Sequence, residues 1–474
     1  MENLPLVIDL DGTLVRSDLL IETGLLFLHE EPHRFLVPLL WLRRGKAALK
    51  HELAQATELD VSILPYDNRV IELIETERGR GRPVVLATAS HVRLANQVAG
   101  HLALFDKIIA SDVDHNLGGN NKRDVLVQIF GNQGFDYAGN SRDDLPSWKA
   151  ARRAYVVNAS STTERLARDI GNVAGVLSSR GATLRDWVMA LRLHQWLKNL
   201  LIFIPLLAAH RYMELPLVFD ALLAFLCFGL CASSVYIVND LLDLRDDRLH
   251  ARKRFRPFAS GRLPIQSGLV VALALLVSAF ALAIWQLPLI FIAGLAAYYA
   301  LTLAYSLALK RRMVIDVIIL AGLYTLRIVM GAVPLGIPLS FWLLAFSMFI
   351  FVSLALVKRY AELVNLHALD GAEKARGRGY CPNDLQMVAS LGTASGYVAV
   401  MILALYINDA PTRQLYRYPE FIWLACPLLL TWISRVWMLA HRGEMNQDPV
   451  IFAVRDRISL SIGGLLAVTF WAAT

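Results

Sequence analysis

The sequence predicts a multidomain chain: a soluble α/β domain over about residues 1–171, then an all-α bundle of nine membrane-spanning helices over 186–474. Three observations carry this. Hydrophobic residues make up 56% of the 474 and charged residues 18%, with a mean hydropathy of +0.46, where soluble domains carry roughly 25% charge. The apolar residues are also unevenly placed. Up to about Arg185 short apolar runs alternate with charged helical stretches, and from Trp187 onward they form long segments. Between the two, 172–185 (GNVAGVLSSRGATL) is small and polar, as a linker should be. This composition excludes a disordered chain, a disulfide scaffold and a coiled coil. The net charge of +7 is no sign of a nucleic-acid partner, because membrane proteins carry excess Lys and Arg on cytoplasmic loops. The four cysteines form no CxxC pair, and Cys227, Cys231 and Cys426 lie in apolar runs, which suits packing in a reducing interior.

The first element is a buried strand over Pro5–Leu10, running into Asp9-Leu10-Asp11-Gly12-Thr13. Carboxylates one residue apart at a strand's end point the same way, and Gly12 lets the chain turn while both stay exposed. That arrangement suits phosphoryl transfer to a carboxylate, with Asp9 attacking phosphorus and Asp11 giving a proton to the leaving oxygen. An ordinary pair of strand-end acids is the plain alternative. The N-terminus has two acids in its apolar stretch and no basic leader, so the soluble part is expected to start in the cytoplasm.

These residues resemble the haloacid dehalogenase-like (HAD) phosphatases over about 1–170. The resemblance implies an α/β Rossmannoid domain with a helical cap over about 18–76. It implies that Thr88, ending the apolar run Val84–Ala87, holds phosphate, and that Lys122 neutralises developing charge. The fourth motif of the family, an acid pair at a Mg²⁺ site, corresponds to Gly139-Asn140-Ser141-Arg142-Asp143-Asp144. Asn140 stands where the family has Asp, so Mg²⁺ would rest on Asp9, Asp11 and Asp144, with Asp143 as the alternative stand-in, at reduced affinity. Both an active phosphatase and a retired, structural domain fit this pattern.

Nine apolar segments follow, near 187–210, 217–239, 267–286, 288–308, 314–334, 339–357, 386–408, 420–438 and 456–473. Each approaches the ~20 residues a helix needs to cross a bilayer. Alternate connections differ sharply in basic charge. Arg245, Arg248, Arg252, Lys253, Arg254, Arg256, Arg262, Lys310, Arg311, Arg312, Lys358, Arg359, Lys374, Arg376 and Arg378 fall on one side, and Arg211, Arg413 and Arg417 on the other. The basic side is expected to be cytoplasmic, with the N-terminal domain, in the cell's inner membrane. Trp187, Trp196, Trp285, Trp342, Trp423 and Trp437 lie near span ends and read as interfacial anchors.

The segment 233–264 is the most informative. If its helix continues past Val238, then Asn239, Asp240, Asp243 and Asp247 share one face. Three carboxylates on one stripe repel unless a cation lies between them, and hard oxygens select Mg²⁺, which bridges carboxylates to phosphates. A solvated helix end is the bland reading. Lys253, Arg254 and Arg256 follow as a cationic arm, and acids, metal and arm together describe a pyrophosphate site.

This pattern resembles the UbiA superfamily of intramembrane prenyltransferases, a nine-helix fold, over about 185–474. The likeness is closer to its decaprenyl-phosphate phosphoribosyltransferase branch, through Arg192–Asn199, Lys253–Pro257, Tyr305–Lys310, Lys358–Leu363 and Arg378-Gly379-Tyr380. The resemblance implies substrate contacts at Asn239, Arg192, Gln195, Lys198, Asn199, Lys253, Arg254, Arg256, Tyr305, Lys310, Arg327, Lys358 and Arg359. Where ordinary UbiA enzymes have a second aspartate-rich motif, this sequence offers only Asp316. On the first span Arg192, Gln195 and Asn199 would share a helical face beside Lys198, whose plain alternative is snorkelling to the interface. Arg327, deep in an apolar span, should face the bundle interior or pair with Asp316.

The expected activity is transfer of 5-phosphoribosyl from phosphoribosyl pyrophosphate to a polyprenyl (decaprenyl-type) phosphate, with Mg²⁺ as cofactor. A second, phosphatase activity in the HAD domain would act on the product. The expected partners are both substrates and the lipid bilayer; a homo-oligomer is compatible with the sequence. Three rivals remain: prenyl transfer from a prenyl diphosphate to an aromatic or other acceptor, a HAD lipid phosphatase with a substrate-holding membrane part, and a transporter or scaffold.

Overall fold

The computed structural model describes residues 4–113, 115–178, 181–367, 379–409, 416–445 and 448–474. Lys374, Arg376, Arg378 and Arg413, used above for orientation and motif, lie outside the described residues. The chain divides into two compact units: Met1–Leu191 with Tyr236–Ala272, and Arg192–Val235 with Leu273–Thr474.

The first unit is built on a six-stranded parallel sheet of β1 (Leu6–Ile8), β2 (Val84–His91), β3 (Lys107–Ser111), β4 (Asp136–Gly139), β5 (Arg153–Val157) and β6 (Val173–Leu177). The spatial order is β3-β2-β1-β4-β5-β6. Alternate residues serve opposite faces: Leu6, Ile8 and Leu86 pack with Val70, Ile74 and Leu94, while Val7, Val85 and Tyr137 pack with Leu126, Trp148 and Val156. Because β1 lies between β2 and β4, its carboxyl end falls where the strand order reverses, which is where open parallel sheets place their crevice. Asp9 and Asp11 leave β1 at that point.

Three boundaries depart from expectation. β6 occupies the first half of the stretch that reads as linker, since Val176 and Leu177 still cover the sheet. The cap ends before 76, because the helix Asn68–Gly79 turns Val70 and Ile74 into the sheet core. Tyr236–Ala272, expected in the membrane part, packs into the first unit.

The second unit is helical. Among the described residues seven helices are long and apolar enough to cross a membrane, beginning at Leu215–Leu242 and ending at Pro419–His441. The nine expected are not met at either end. The last, Arg457–Ala473, has 17 residues, and the first is broken. Arg192 adopts the left-handed conformation (φ +50), which an α-helix cannot contain. Leu193–Phe203 then winds as a 3₁₀ helix before Ile204–Ala208. At ~120° per residue, Asn199 no longer shares a face with Arg192 and Gln195, and it is buried while they are half-buried. Two tryptophans are packing residues rather than anchors. Trp196 donates to Ser233 Oγ (2.9 Å) with its ring against Gly229, and Trp437 donates to Ser353 Oγ (3.1 Å) with its ring on Gly392. Cys227, Cys231 and Cys426 are buried free thiols.

Candidate active sites

At the carboxyl end of β1, Asp9 Oδ1 accepts a 2.7 Å bond from Lys122 Nζ, and Thr13 Oγ1 lies 3.5 Å from Asp9 Oδ2. Lys122 also reaches Tyr137 OH (3.0 Å) and Asp144 Oδ1 (3.4 Å). Burial pushes the Asp9 carboxyl up, to about 7, against the pull of the Lys122 ammonium. Burial opposes the charge on Lys122, but Asp9, Tyr137 and Asp144 hold it well above the usual lysine range. Asp11 is a separate centre. Its carboxylate accepts Leu19 N (2.8 Å), Ser90 Oγ (2.6 Å) and Thr88 Oγ1 (3.4 Å). Burial, with Asp18 beside it, raises it to about 6, a value suited to proton donation.

Gly12 is required here: its φ is +76, and a Cβ on it would lie 2.0 Å from Asn140 Nδ2. Asn140 is therefore pressed against the Asp9–Asp11 turn, in the place expected of a metal acid. Asp144 accepts five donors: Lys122, Tyr137 OH (2.7 Å), the amides of Asn140 and Ser141 (3.0 Å each) and Ser141 Oγ (3.1 Å). These saturate its oxygens, so it locks Lys122 and the 140–141 turn, whereas metal ligation was expected of it. Of the expected Mg²⁺ ligands Asp9 and Asp11 leave β1 together, Asn140 brings no charge to the turn beside them, and Asp144 is engaged by these donors, a set that offers a hard cation little charge.

In the same unit the acid segment forms a second site. The long helix stops at Leu242, and Asp243 starts the short helix Leu244–Leu249, so the expected single stripe bends at Asp243. Arg256 Nη1 lies 3.0 Å from Asp240 Oδ1 and 2.6 Å from Asp247 Oδ2, both acids being buried. Burial raises the Asp247 carboxyl to about 6 against the attraction of Arg256. Asp243 instead reaches His29 Nδ1 (3.7 Å), with Asp246 nearby. Lys253 and Arg254 are exposed on the turn Lys253–Phe255. Among the described residues nothing donates to the buried Asn239 Oδ1. An unsatisfied hard oxygen next in sequence to Asp240, and two buried carboxylates bridged by one guanidinium, are donors of the kind a divalent cation takes. The residues that would hold it are Asn239, Asp240 and Asp247, with Asp243 next along the chain.

This segment is braced by the cap. Glu22 takes a bidentate ion pair from Arg248, at 2.6 and 3.0 Å, and Arg248 Nε also donates to Ala259 O (3.0 Å). Arg245 reaches Glu30 (3.3 Å), and Gln266 reaches Asp18 (3.2 Å).

In the second unit the polar residues form three sets. Arg327 donates to Asn199 Oδ1 (2.9 Å), Tyr298 OH (2.8 Å) and Leu323 O (2.6 Å); the suggested pairing with Asp316 is not made there. Asp448 accepts Lys198 Nζ at 2.7 Å and Lys358 Nζ at 3.4 Å, which replaces snorkelling for Lys198. Burial would raise the Asp448 carboxyl, but these ammonium groups hold it below the usual range. Asp316 accepts Arg359 Nε (2.6 Å) and Tyr380 OH (2.8 Å), and Arg359 also binds Tyr305 OH (2.9 Å) and Glu362. Lys310 lies on the turn Leu309–Arg311.

A sequence model of the UbiA prenyltransferase family matches residues 200–460. The chain belongs to that family. A model of haloacid dehalogenase-like hydrolases matches residues 6–149, so this UbiA protein carries a HAD-like domain at its N-terminal end. An uncharacterized protein y4nM of Sinorhizobium fredii is 38% identical over 98% of this chain and 90% of its own length. Nodulation protein NoeC of Azorhizobium caulinodans is 40% identical over 57% of this chain and 87% of its own. Decaprenyl-phosphate phosphoribosyltransferase of Mycobacterium tuberculosis is 35% identical over 57% of this chain and 88% of its own.

Within this UbiA chain, sequence reasoning missed Glu22, Tyr137, Ser90, Tyr298 and Asp448. Asp448 had a readable signal, an Asp directly before Pro449 that starts a helix as its cap. Glu22 had none, because its partner Arg248 is 226 residues away.

Proposed function

We propose that this UbiA-family enzyme transfers the 5-phosphoribosyl group of phosphoribosyl pyrophosphate to a polyprenyl phosphate, and that its HAD-like domain then removes the 5-phosphate from the lipid product. The observation that carries the first half is the state of Asp316. A second aspartate-rich motif would bind another metal–diphosphate, but here its acid is buried and bound to Arg359 and Tyr380. Among the described residues that leaves the Asp240–Asp247 segment for one diphosphate, and an acceptor that needs cations instead. Lys198 and Lys358 supply them. The relationship to proteins named decaprenyl-phosphate phosphoribosyltransferase points the same way.

When bound at Asn239, Asp240, Asp243 and Asp247, Mg²⁺ would neutralise charge on the departing diphosphate. Arg256, with Lys253 and Arg254, orients the diphosphate and takes up charge as the C1–O bond breaks. The lipid phosphate oxygen is the nucleophile, so the chain supplies no strong base. In the HAD-like site Asp9 attacks phosphorus as the bond to the ribose 5-oxygen breaks, Lys122 balances the added charge, and Asp11 protonates the leaving oxygen; water then hydrolyses the aspartyl phosphate, releasing inorganic phosphate and restoring Asp9. Tyr137 and Asp144 position Lys122. The positive-inside bias of the connections supports a cytoplasmic position for the acid segment.

The test is incubation of purified protein with labelled phosphoribosyl pyrophosphate and several polyprenyl phosphates, followed by analysis of the lipid fraction. Label in lipid is the expected result. Transfer only from a prenyl diphosphate would replace this reading by prenyl transfer. For the second half, wild type should accumulate lipid lacking the 5-phosphate and Asp9→Asn the phosphorylated lipid; identical products would leave the domain structural.

A further inference from the structure

The cap carries a surface that neither activity uses. Phe35, Leu36, Leu39, Leu40 and Leu42 are exposed by 60, 55, 57, 55 and 45%, five large apolar side chains within eight consecutive residues. Elsewhere on the sheet domain such residues occur singly, as at Ile129 and Leu166, which is normal for any surface. The segment is held in place rather than loose. The Trp41 ring sits 5.2 Å from that of Phe27, which is itself in the core, and Arg34 lies over the other side of the anchor at 5.5 Å from the Phe27 centroid. Charge is distributed to match. From Pro32 to His51 there is no Asp or Glu, while Arg34, Arg43, Arg44, Lys46 and Lys50 lie in the same stretch; Arg34 and Arg44 pair at its ends with Glu31 and Glu52, on exposed side chains that can turn to other anions.

We propose that Phe35–Leu42 dips into the headgroup–acyl boundary of the bilayer, with Arg34, Arg43, Arg44 and Lys46 against anionic headgroups. Short apolar segments rimmed by cations bind membranes in this way. One such segment is weak by itself, but this domain is tethered to membrane spans, so the local concentration of bilayer is high. The cap would thereby be held at the depth where lipid-borne phosphates lie. This goes beyond the transferase reading and does not depend on which group is transferred.

The test uses the full chain in nanodiscs of phosphatidylcholine and phosphatidylglycerol. Leu40→Cys and, separately, Leu36→Cys are made in a Cys381→Ser background, the other native cysteines being buried, and labelled with a fluorophore. Leu166→Cys is the aqueous control. Quenching by a nitroxide on the lipid acyl chain should be about threefold stronger at 36 and 40 than at 166, with iodide quenching in the reverse order. Replacing Arg43 and Arg44 with Ser should reduce the lipid quenching. Iodide quenching at 36 and 40 equal to that at 166 would overturn the proposal by showing a patch open to water. Shielding from both quenchers would overturn it too, by showing a cover of protein such as a second copy.

Discussion

The Glu22–Arg248 pair permits a quantitative expectation. Both side chains are buried, 3% and 5% exposed, and the contact is bidentate. Removing one partner of such a pair leaves a buried, uncompensated charge, at a cost of about 3–5 kcal/mol. Replacing both with neutral groups of similar volume removes the charge altogether and costs little. Glu22→Gln and Arg248→Met should therefore each loosen the contact between the helix Leu19–Glu30 and the helix Leu244–Leu249 by about 3 kcal/mol, roughly 150-fold in an opening equilibrium. Arg248→Met also drops the bond to Ala259 O, so it should be the worse of the two. The double variant should lie close to wild type plus that one bond. The assay is amide hydrogen exchange by mass spectrometry on the full chain in nanodiscs, following peptides that cover 19–30 and 244–249, since local opening is what exchange reads. Transferase turnover on the same samples reports whether Asp247, on the second helix, has moved. If the double variant exchanges as the product of the two single effects, the coupling is zero and the pair does not brace the acid site.

Four further outcomes follow from the geometry. Asp240→Asn should reduce lipid ribosylation by roughly 100-fold or more, with only a small drop in thermal unfolding because Arg256 keeps its bond to Asp247; near-normal turnover at saturating Mg²⁺ would remove it from the site. Lys198→Ala should raise KM for the polyprenyl phosphate and leave KM for the sugar donor alone, as measured by steady-state kinetics. Asn140→Asp should lower the Mg²⁺ concentration for half-maximal phosphatase activity by roughly tenfold, since an added carboxylate joins a set poor in charge. Asp67 is buried, which would raise its carboxyl, but bonds from Arg69, Arg16 and Asn158 hold it below the usual range. A depressed folded value means stability that is complete above the unfolded carboxylate value, roughly pH 4, and lost as pH falls through the folded one. Asp67→Asn should flatten that acid limb in a scan of melting temperature against pH.

What the sequence disclosed was local. The strand before Asp9, the acid run from Asn239 and the apolar spans are each written in a few consecutive residues, so period and spacing expose them. The distribution of Asp240, Asp243 and Asp247 between Arg256 and His29 was hidden, because it depends on a bend at Asp243 and on a cap residue from another part of the chain. The broken first span was hidden for a different reason. Arg192 in the left-handed region breaks no composition rule, and only the backbone shows that Leu193–Phe203 winds more tightly. The surroundings of Asp144 were hidden as well, since the five donors around it come from separate stretches of sequence.

The first turn of the helix Leu19–Glu30 has two clients. Its leading amide, on Leu19, donates to Asp11, and three residues later Glu22 holds Arg248 of the acid segment. Whatever tilts that turn is felt at both ends, so the two halves of this protein cannot be treated as separable cassettes. Relatives such as the mycobacterial transferase, matched over 88% of their own length by 57% of this chain, have little room for a counterpart of this helix. A gene cut after the sheet domain should yield a membrane half whose acid loop has lost its splint, and supplying the missing half in trans should set it again.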